Sequence, residues 1–150
     1  MFYECESLTQ VTIPDSVVSI GNHAFYNCRE LRDVYIPEDI GSLSIGDYSF
    51  WNTPIREITS CSSIGVKAFE NCVLLERLYT SASIIPGAAI RGCSSLRHIW
   101  FTDEFKNIDY YNLYVSEYGT RLNISELVVS INSLTRPLSE MFNPLWDEHP

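Results

Sequence analysis

One pattern returns along this 150-residue chain at a nearly fixed interval. Phe2-x-x-Cys5-x-x-Leu8-x-x-Val11-x-Ile13-Pro14 comes back as Phe25-x-x-Cys28-x-x-Leu31-x-x-Val34-x-Ile36-Pro37, each matching residue displaced by 23 positions. A unit of roughly 20–30 residues is too short to enclose a core of its own. Successive units must bury their apolar sides against one another, and the chain winds into a solenoid.

Later units keep the pattern with small changes of length. Ile45-Gly46-x-x-Ser49-Phe50 follows Ile20-Gly21-x-x-Ala24-Phe25 after 25 residues, which places two added residues near 40–43. One residue is lost around Thr53-Pro54, before Ile55-x-x-Ile58-x-Ser60. A fourth unit runs Ile64-Gly65-x-x-Ala68-Phe69-x-x-Cys72-x-x-Leu75-x-x-Leu78-x-Thr80. The fifth runs Ile85-Pro86-x-x-Ala89-Ile90-x-x-Cys93-x-x-Leu96-x-x-Ile99-x-Phe101, 21 residues on. Past Phe101 the pattern blurs. Ile108, Leu113 and Ile124-x-x-Leu127-x-Val129 read as a diverged sixth coil, with an amphipathic helix over 124–134 as the alternative. Leu138, Met141, Phe142, Leu145 and Trp146 then suit a hydrophobic cap. The division expected is five strand units over 1–101, the first truncated, and a sixth coil with capping segment over 102–150.

Each position has a physical role. The last four residues of L-x-x-L-x-L alternate, so the apolar ones face inward and the x residues outward. Strands of successive coils stack in parallel about 4.8 Å apart. Pro14 and Pro37 lack the N–H a ladder needs and end their strands. Ile-Gly turns the chain into a second extended piece, Gly being read as the source of freedom at a tight corner. Phe25, Phe50 and Phe69 form an aromatic spine inside the coil. No unit holds a helical pattern of useful length, so the remaining side is expected to be turns and short extended segments.

The phrase A-F-x-x-C-x-x-L-x-x-[VI]-x-I-P-x-x-V-x-x-I-G, near complete from Ala24-Phe25 to Ile36-Pro37, resembles the BspA-like (Treponema-type) leucine-rich repeats. Thr53 for Cys, Cys61 for Pro and Ile90 for Phe are departures. The resemblance implies a right-handed leucine-rich repeat with a parallel concave β-sheet, a β- and turn-rich convex side and little helix except near the C-terminus. It also implies exposure at a cell surface or secretion, and adhesion to host or other extracellular proteins.

Composition narrows the partners. A net charge of −9 argues against nucleic acid, whose binding is dominated by Lys and Arg. No apolar run approaches the roughly 18 residues needed to span a bilayer. Met1-Phe2-Tyr3-Glu4 has no basic region followed by an apolar one, so no signal peptide is read there, and a cytoplasmic location is the alternative. Met1-Phe2 stands where the next unit has Ala24-Phe25, so the chain opens in mid-coil. That suits a fragment of a longer array, or a first coil covered by a partner, including end-to-end self-association there.

Cys5, Cys28, Cys72 and Cys93 share one repeat position, too far apart in sequence for paired zinc ligands. They are read as reduced residues filling one small apolar slot per coil. Disulfides Cys5–Cys28 and Cys72–Cys93 are the alternative, and Cys61, outside the column, is expected to be the exposed thiol. His23, His98 and His149 are isolated, and no nucleophile elbow or phosphate loop occurs. Neither catalysis, metal nor cofactor is expected.

The outward strand positions carry the functional lead. One column is Gln10, Asp33, Glu57, Arg77 and His98; two residues on lies Thr12, Tyr35, Thr59, Tyr79 and Trp100. Glu126 and Val128 would extend them. Tyr, Trp and Arg are enriched at binding hot spots. Asp33, Tyr35, Glu57, Arg77, Tyr79, His98 and Trp100 are therefore the candidate binding residues, although Thr and aromatic cross-strand pairs also stabilise a bare sheet. Arg32, Arg56, Glu76 and Arg97 form a third, locally basic column, read mainly as neutralised by Asp33 and Glu57 and otherwise as an anion site. Expected is a non-enzymatic repeat protein binding a protein ligand. An intracellular interaction scaffold or a glycan-binding module using the aromatics is the alternative.

Overall fold

The computed structural model describes residues 2–37, 43–101, 107–108, 128–131 and 134–137. They wind into a parallel β-solenoid of about four turns, and the described residues contain no helix. The repeat pattern accounts for each of its sides. On the broad side lie β1 (Gln10–Thr12), β3 (Asp33–Tyr35), β5 (Glu57–Ile58), β7 (Arg77–Thr80), β9 (His98–Phe101) and β11 (Val128–Ile131). Val11 pairs with Val34, and Ile58 with Leu78 and then Ile99, so one apolar column faces inward. Ile58, Leu78 and Ile99 are fully buried.

The second side carries β2 (Ser19–Ile20), β4 (Ser44–Ile45), β6 (Ser63–Ile64), β8 (Ile84–Ile85) and β10 (Asn107–Ile108). Ser19, Ser44 and Ser63 align in parallel register, with Ile20, Ile45 and Ile64 turned into the core. The Ser44 and Ser63 hydroxyls meet at 2.7 Å.

The third side is made of turns, yet it is hydrogen-bonded between coils as regularly as a sheet. The N–H groups of His23, Phe25 and Asn27 donate to the carbonyls of Asp47, Ser49 and Trp51 at 2.9, 2.7 and 2.8 Å. Tyr48, Phe50 and Asn52 do the same to Val66, Ala68 and Glu70, and Lys67, Phe69 and Asn71 to Gly87, Ala89 and Arg91. The segment achieves this by placing residues two before and two after the spine position in the left-handed region. His23, Tyr48, Lys67 and Ala88 form one such series, and Asn27, Asn52, Asn71 and Gly92 the other. Asn and Gly tolerate positive φ better than most residues, which explains Asn or Gly before Cys or Thr in coil after coil. The sequence reading left that position blank.

Inside, Phe2, Phe25, Phe50 and Phe69 stack at centroid distances of 5.4, 5.1 and 5.7 Å, extending the expected spine by one ring. The cysteine column is reduced, as read, but it does more than fill space. Cys28, Cys72 and Cys93 donate their thiol hydrogens to the carbonyls of Phe2, Phe50 and Phe69 at 2.9, 3.0 and 3.1 Å. Each thiol thus ties its coil to the one before. Thr53, the departure from Cys, donates instead to the Phe50 carbonyl of its own coil at 2.8 Å, so its hydroxyl is satisfied locally and does not make the thiol's tie to the coil before. Cys61 corrects the expectation of an exposed thiol: it is 2% exposed, and burial pushes its pKa up to about 12. It occupies the place after β5 where other units have Pro, and its side chain joins the core.

Glycine corrects another expectation. Gly21, Gly46 and Gly65 do not have positive φ. A Cβ on Gly65 would lie 2.4 Å from the Asp47 nitrogen, and one on Gly46 would lie 2.5 Å from the Asn22 side-chain oxygen. Close approach of neighbouring coils, not corner freedom, demands glycine there. The same contact carries an Asx ladder: Asn22 accepts from the Asp47 N–H (2.9 Å) and Asp47 from the Val66 N–H (2.8 Å).

Beyond residue 101, β11 pairs in parallel with β9, and β12 (Leu134–Pro137) returns antiparallel to β11. The helix alternative over 124–134 is thereby overturned for Val128–Ile131, which is strand. The register differs from expectation by two residues: Val129, not Leu127, lies opposite Ile99. Leu127 and Val129 are two apart in the sequence, and a period-2 pattern cannot separate registers two apart. Leu113, Ile124 and the capping residues Leu138, Met141, Phe142, Leu145 and Trp146 lie outside the described residues.

Two stability measurements check this packing. Gly65→Ala should destabilise by about 1–3 kcal/mol through overpacking against the Asp47 backbone, whereas Gly21→Ala, with nothing within 4 Å, should be neutral or slightly stabilising in urea unfolding. Ser49 is fully buried with no hydrogen-bond partner for its hydroxyl among the described residues, where the other coils have Ala24, Ala68 and Ala89. Ser49→Ala should raise stability by about 1 kcal/mol.

Candidate binding face

The parallel register turns sequence columns into surface rows. Asp33 lies beside Gln10, and Glu57, Arg77 and His98 follow one another across β5, β7 and β9. Tyr35 lies beside Thr12, and Tyr79 beside Trp100. All seven candidate residues sit on one side of the solenoid. The proposed extension is corrected by the same two-residue shift: Val128 is opposite His98 and Ser130 opposite Trp100. Glu126 lies outside the described residues.

These residues fall into two groups. In the first, Tyr79 and Trp100 stack at 4.0 Å with ring planes 2° apart, and His98 stacks on Trp100 at 3.4 Å. Residues i and i+2 of one strand share a face, and the next strand brings the third ring. Beside the stack is a recess of about 290 Å³ floored by Thr59, Ser60, Thr80 and Ser81. Stacking turns ring faces toward one another, so fewer remain for a planar or sugar ligand. Burial pushes the His98 pKa below its usual 6.5, favouring neutral imidazole.

In the second group, Asp33, Tyr35, Glu57 and Arg77 line a cleft of about 280 Å³ together with Arg32 and Arg56. Tyr35 is 54% exposed. Glu57 and Arg77 pair at 3.2 Å on the surface, a contact worth roughly 0–1 kcal/mol in solvent. Arg97, of the same basic column, is instead engaged locally, donating to the carbonyls of Ser94 and Leu96. The basic column is therefore not one site.

The turn side holds a second aromatic array that the sequence reading missed. Tyr3, Tyr26 and Trp51, each one residue after the spine Phe, stack at 5.1 and 4.6 Å. The row then changes chemistry: the Trp51 indole N–H donates to Glu70 at 3.1 Å, and Glu70 forms a buried ion pair with Arg91. His23 stacks on Tyr48 at 5.0 Å, and Lys67 sits 5.5 Å from the Tyr48 ring centre. The signal was present, since the position after Phe reads Tyr, Tyr, Trp, Glu. It looked like an unassigned x position because no ladder was expected on a turn side. Among the described residues no three metal-capable side chains converge, and no helix is long and apolar enough to cross a membrane.

The lowered pKa of His98 has a testable consequence. The folded state disfavours the imidazolium, so this group's contribution to stability is present above pH 6.5 and fades as the pH falls through that range. NMR titration should place His98 below 6.5, and Trp100→Ala, by exposing the ring, should move it back up.

No curated protein matches the chain. Its fold is similar to that of a leucine rich cell surface protein from Faecalibacterium prausnitzii A2-165, at 21% identity and a TM-score of 0.50, over 71% of this chain and 39% of that one. A leucine-rich repeat protein from Bacteroides ovatus ATCC 8483 is similar at 23% identity and a TM-score of 0.44, over 72% of this chain and 39% of that one. The chain thus spans 39% of the length of each. The BspA type leucine rich repeat region matches residues 1–120 and 62–135, in six copies. With nearly the whole chain matched, this protein belongs to the BspA type leucine rich repeat family.

Proposed function

We propose that this chain is a non-enzymatic recognition module whose broad strand face binds a protein partner, as an adhesin does at a cell surface. The observation that carries this reading is the composition of the face. Its projecting row offers an exposed Tyr35, the Tyr79–Trp100–His98 stack and mixed charges from Asp33 to Arg77, none of which the core requires. Interface hot spots favour Tyr, Trp and Arg set in preorganised surroundings. Stacked rings on a hydrogen-bonded sheet lose little freedom on binding. A protein is favoured over a glycan because the ring faces that a sugar would cover are partly occupied by one another. Membership of the family, and the cell-surface description of the similar Faecalibacterium protein, fit a role outside the cell.

One observation favours a second reading. All five cysteines are free, which suits a reducing compartment and an intracellular interaction scaffold using the same face. Localisation of the native protein by surface labelling of intact cells separates the two.

The binding face is tested by variants. Tyr79→Ala and Trp100→Ala should each lower affinity for a protein ligand obtained by display screening by about 2 kcal/mol or more, roughly thirty-fold, while circular dichroism stays unchanged. Unchanged affinity in both variants would remove the strand face from the reading. Binding to a glycan array abolished by the same variants would favour a lectin.

A further inference from the structure

We infer that the interruption of the strand ladder between β3 and β5 is a carboxylate-binding subsite, taking an acidic side chain on an extended segment of the partner polypeptide. The inference rests on the protein-binding reading of the strand face and names part of what that face recognises.

The interruption is a physical break. β1 pairs with β3, and β5 with β7 and β9, in regular parallel register. Among the described residues no backbone hydrogen bond joins β3 to β5; their link is the Thr59 hydroxyl donating to the Ile36 carbonyl at 3.4 Å. The sequence explains it. Pro37 follows β3 and Pro54 precedes β5, and this coil carries both the two-residue insertion and the one-residue deletion. The cleft of about 280 Å³ lies at this break.

Charge then selects the ligand. Arg32 and Arg56 stand one residue before β3 and β5, at equivalent positions of successive coils, and both line the cleft. Neither makes an ion pair with a described residue. Because both side chains line the same cleft, one carboxylate seated there can accept hydrogen bonds from two guanidinium groups. In the next coil the position is Glu76, which ends the cationic pair. Arg77 lines the cleft but is engaged by Glu57, and Asp33 adds a second carboxylate. The cleft is therefore cationic only at Arg32 and Arg56, and acidic alongside. A polysulfated chain would meet Asp33 and Glu57; a single carboxylate on an otherwise neutral peptide would not. The carbonyls and N–H groups that make no ladder bond between β3 and β5 among the described residues, with Tyr35 as one wall, give an extended peptide backbone its own partners.

The probe is a fluorescein-labelled, blocked peptide alternating Thr and Val around one central Glu, with its Gln counterpart as control, measured by anisotropy on the whole chain. The Glu peptide should bind at least tenfold more tightly than the Gln peptide, and Arg56→Ala should abolish that preference. Arg29→Ala, which removes the same charge outside the cleft, should change it less than twofold. Equal binding of the two peptides, equal loss in Arg29→Ala and Arg56→Ala, or tighter binding of a heparin fragment than of the Glu peptide would each overturn the subsite. If the peptide preference is absent while Tyr79→Ala and Trp100→Ala still weaken a protein ligand, the cleft assignment fails and the face reading stands. Failure of the face reading would appear instead as unchanged affinity in the aromatic variants.

Discussion

Everything in this molecule depends on the contact of each coil with the next. A coil of this size cannot satisfy its own backbone, and buried N–H and C=O groups left unpaired are costly. The structure answers with parallel hydrogen bonding on all three sides, including the side made of turns, where alternate N–H groups reach the carbonyls of the following coil. Where the column is Cys28, Cys72 or Cys93, the thiol adds a further link to the carbonyl of the spine residue in the preceding coil. Two left-handed residues per coil are the backbone cost of this arrangement, met by Asn or Gly at one of the two positions.

Because neighbouring coils are locked in register, side chains at one repeat position become rows. A row is either inside, as with the stacked phenylalanines, or outside, as with Tyr79 and Trp100. This separation is why a repeat protein can vary its surface without disturbing its core. It also means that a change of coil length has local effects. Where one coil gained and lost residues, the strand ladder parted while the turn side stayed bonded, from Phe25 through Phe50 to Phe69. A cleft formed there on the strand side.

Much of this was legible in the residues. The inward column, the phenylalanine spine and the reduced cysteines followed from periodicity and from the chemistry of small apolar slots. The outward rows from Gln10 to Trp100 came from the same alternation. What escaped was whatever depends on the neighbouring coil. Gly65 looked like a corner residue, yet it is glycine because the Asp47 backbone lies against it. Cys61 looked exposed because it ended a strand, yet it packs into the core. Tyr26 and Trp51 looked like unassigned surface positions until the turn side proved to be a ladder.

The sequence by itself determined that this chain is a solenoid, which residues fill it and which rows face outward. A fixed period with apolar residues at fixed places leaves no other way to bury them. Only the tertiary structure decided how the rows are broken and joined: the parting of β3 from β5, the three-ring stack around Trp100, and the pairing of Arg77 with Glu57 while Arg32 and Arg56 form no ion pair with a described residue. Those depend on register and on distances between coils, and a one-dimensional pattern carries neither once its period slips by a residue or two.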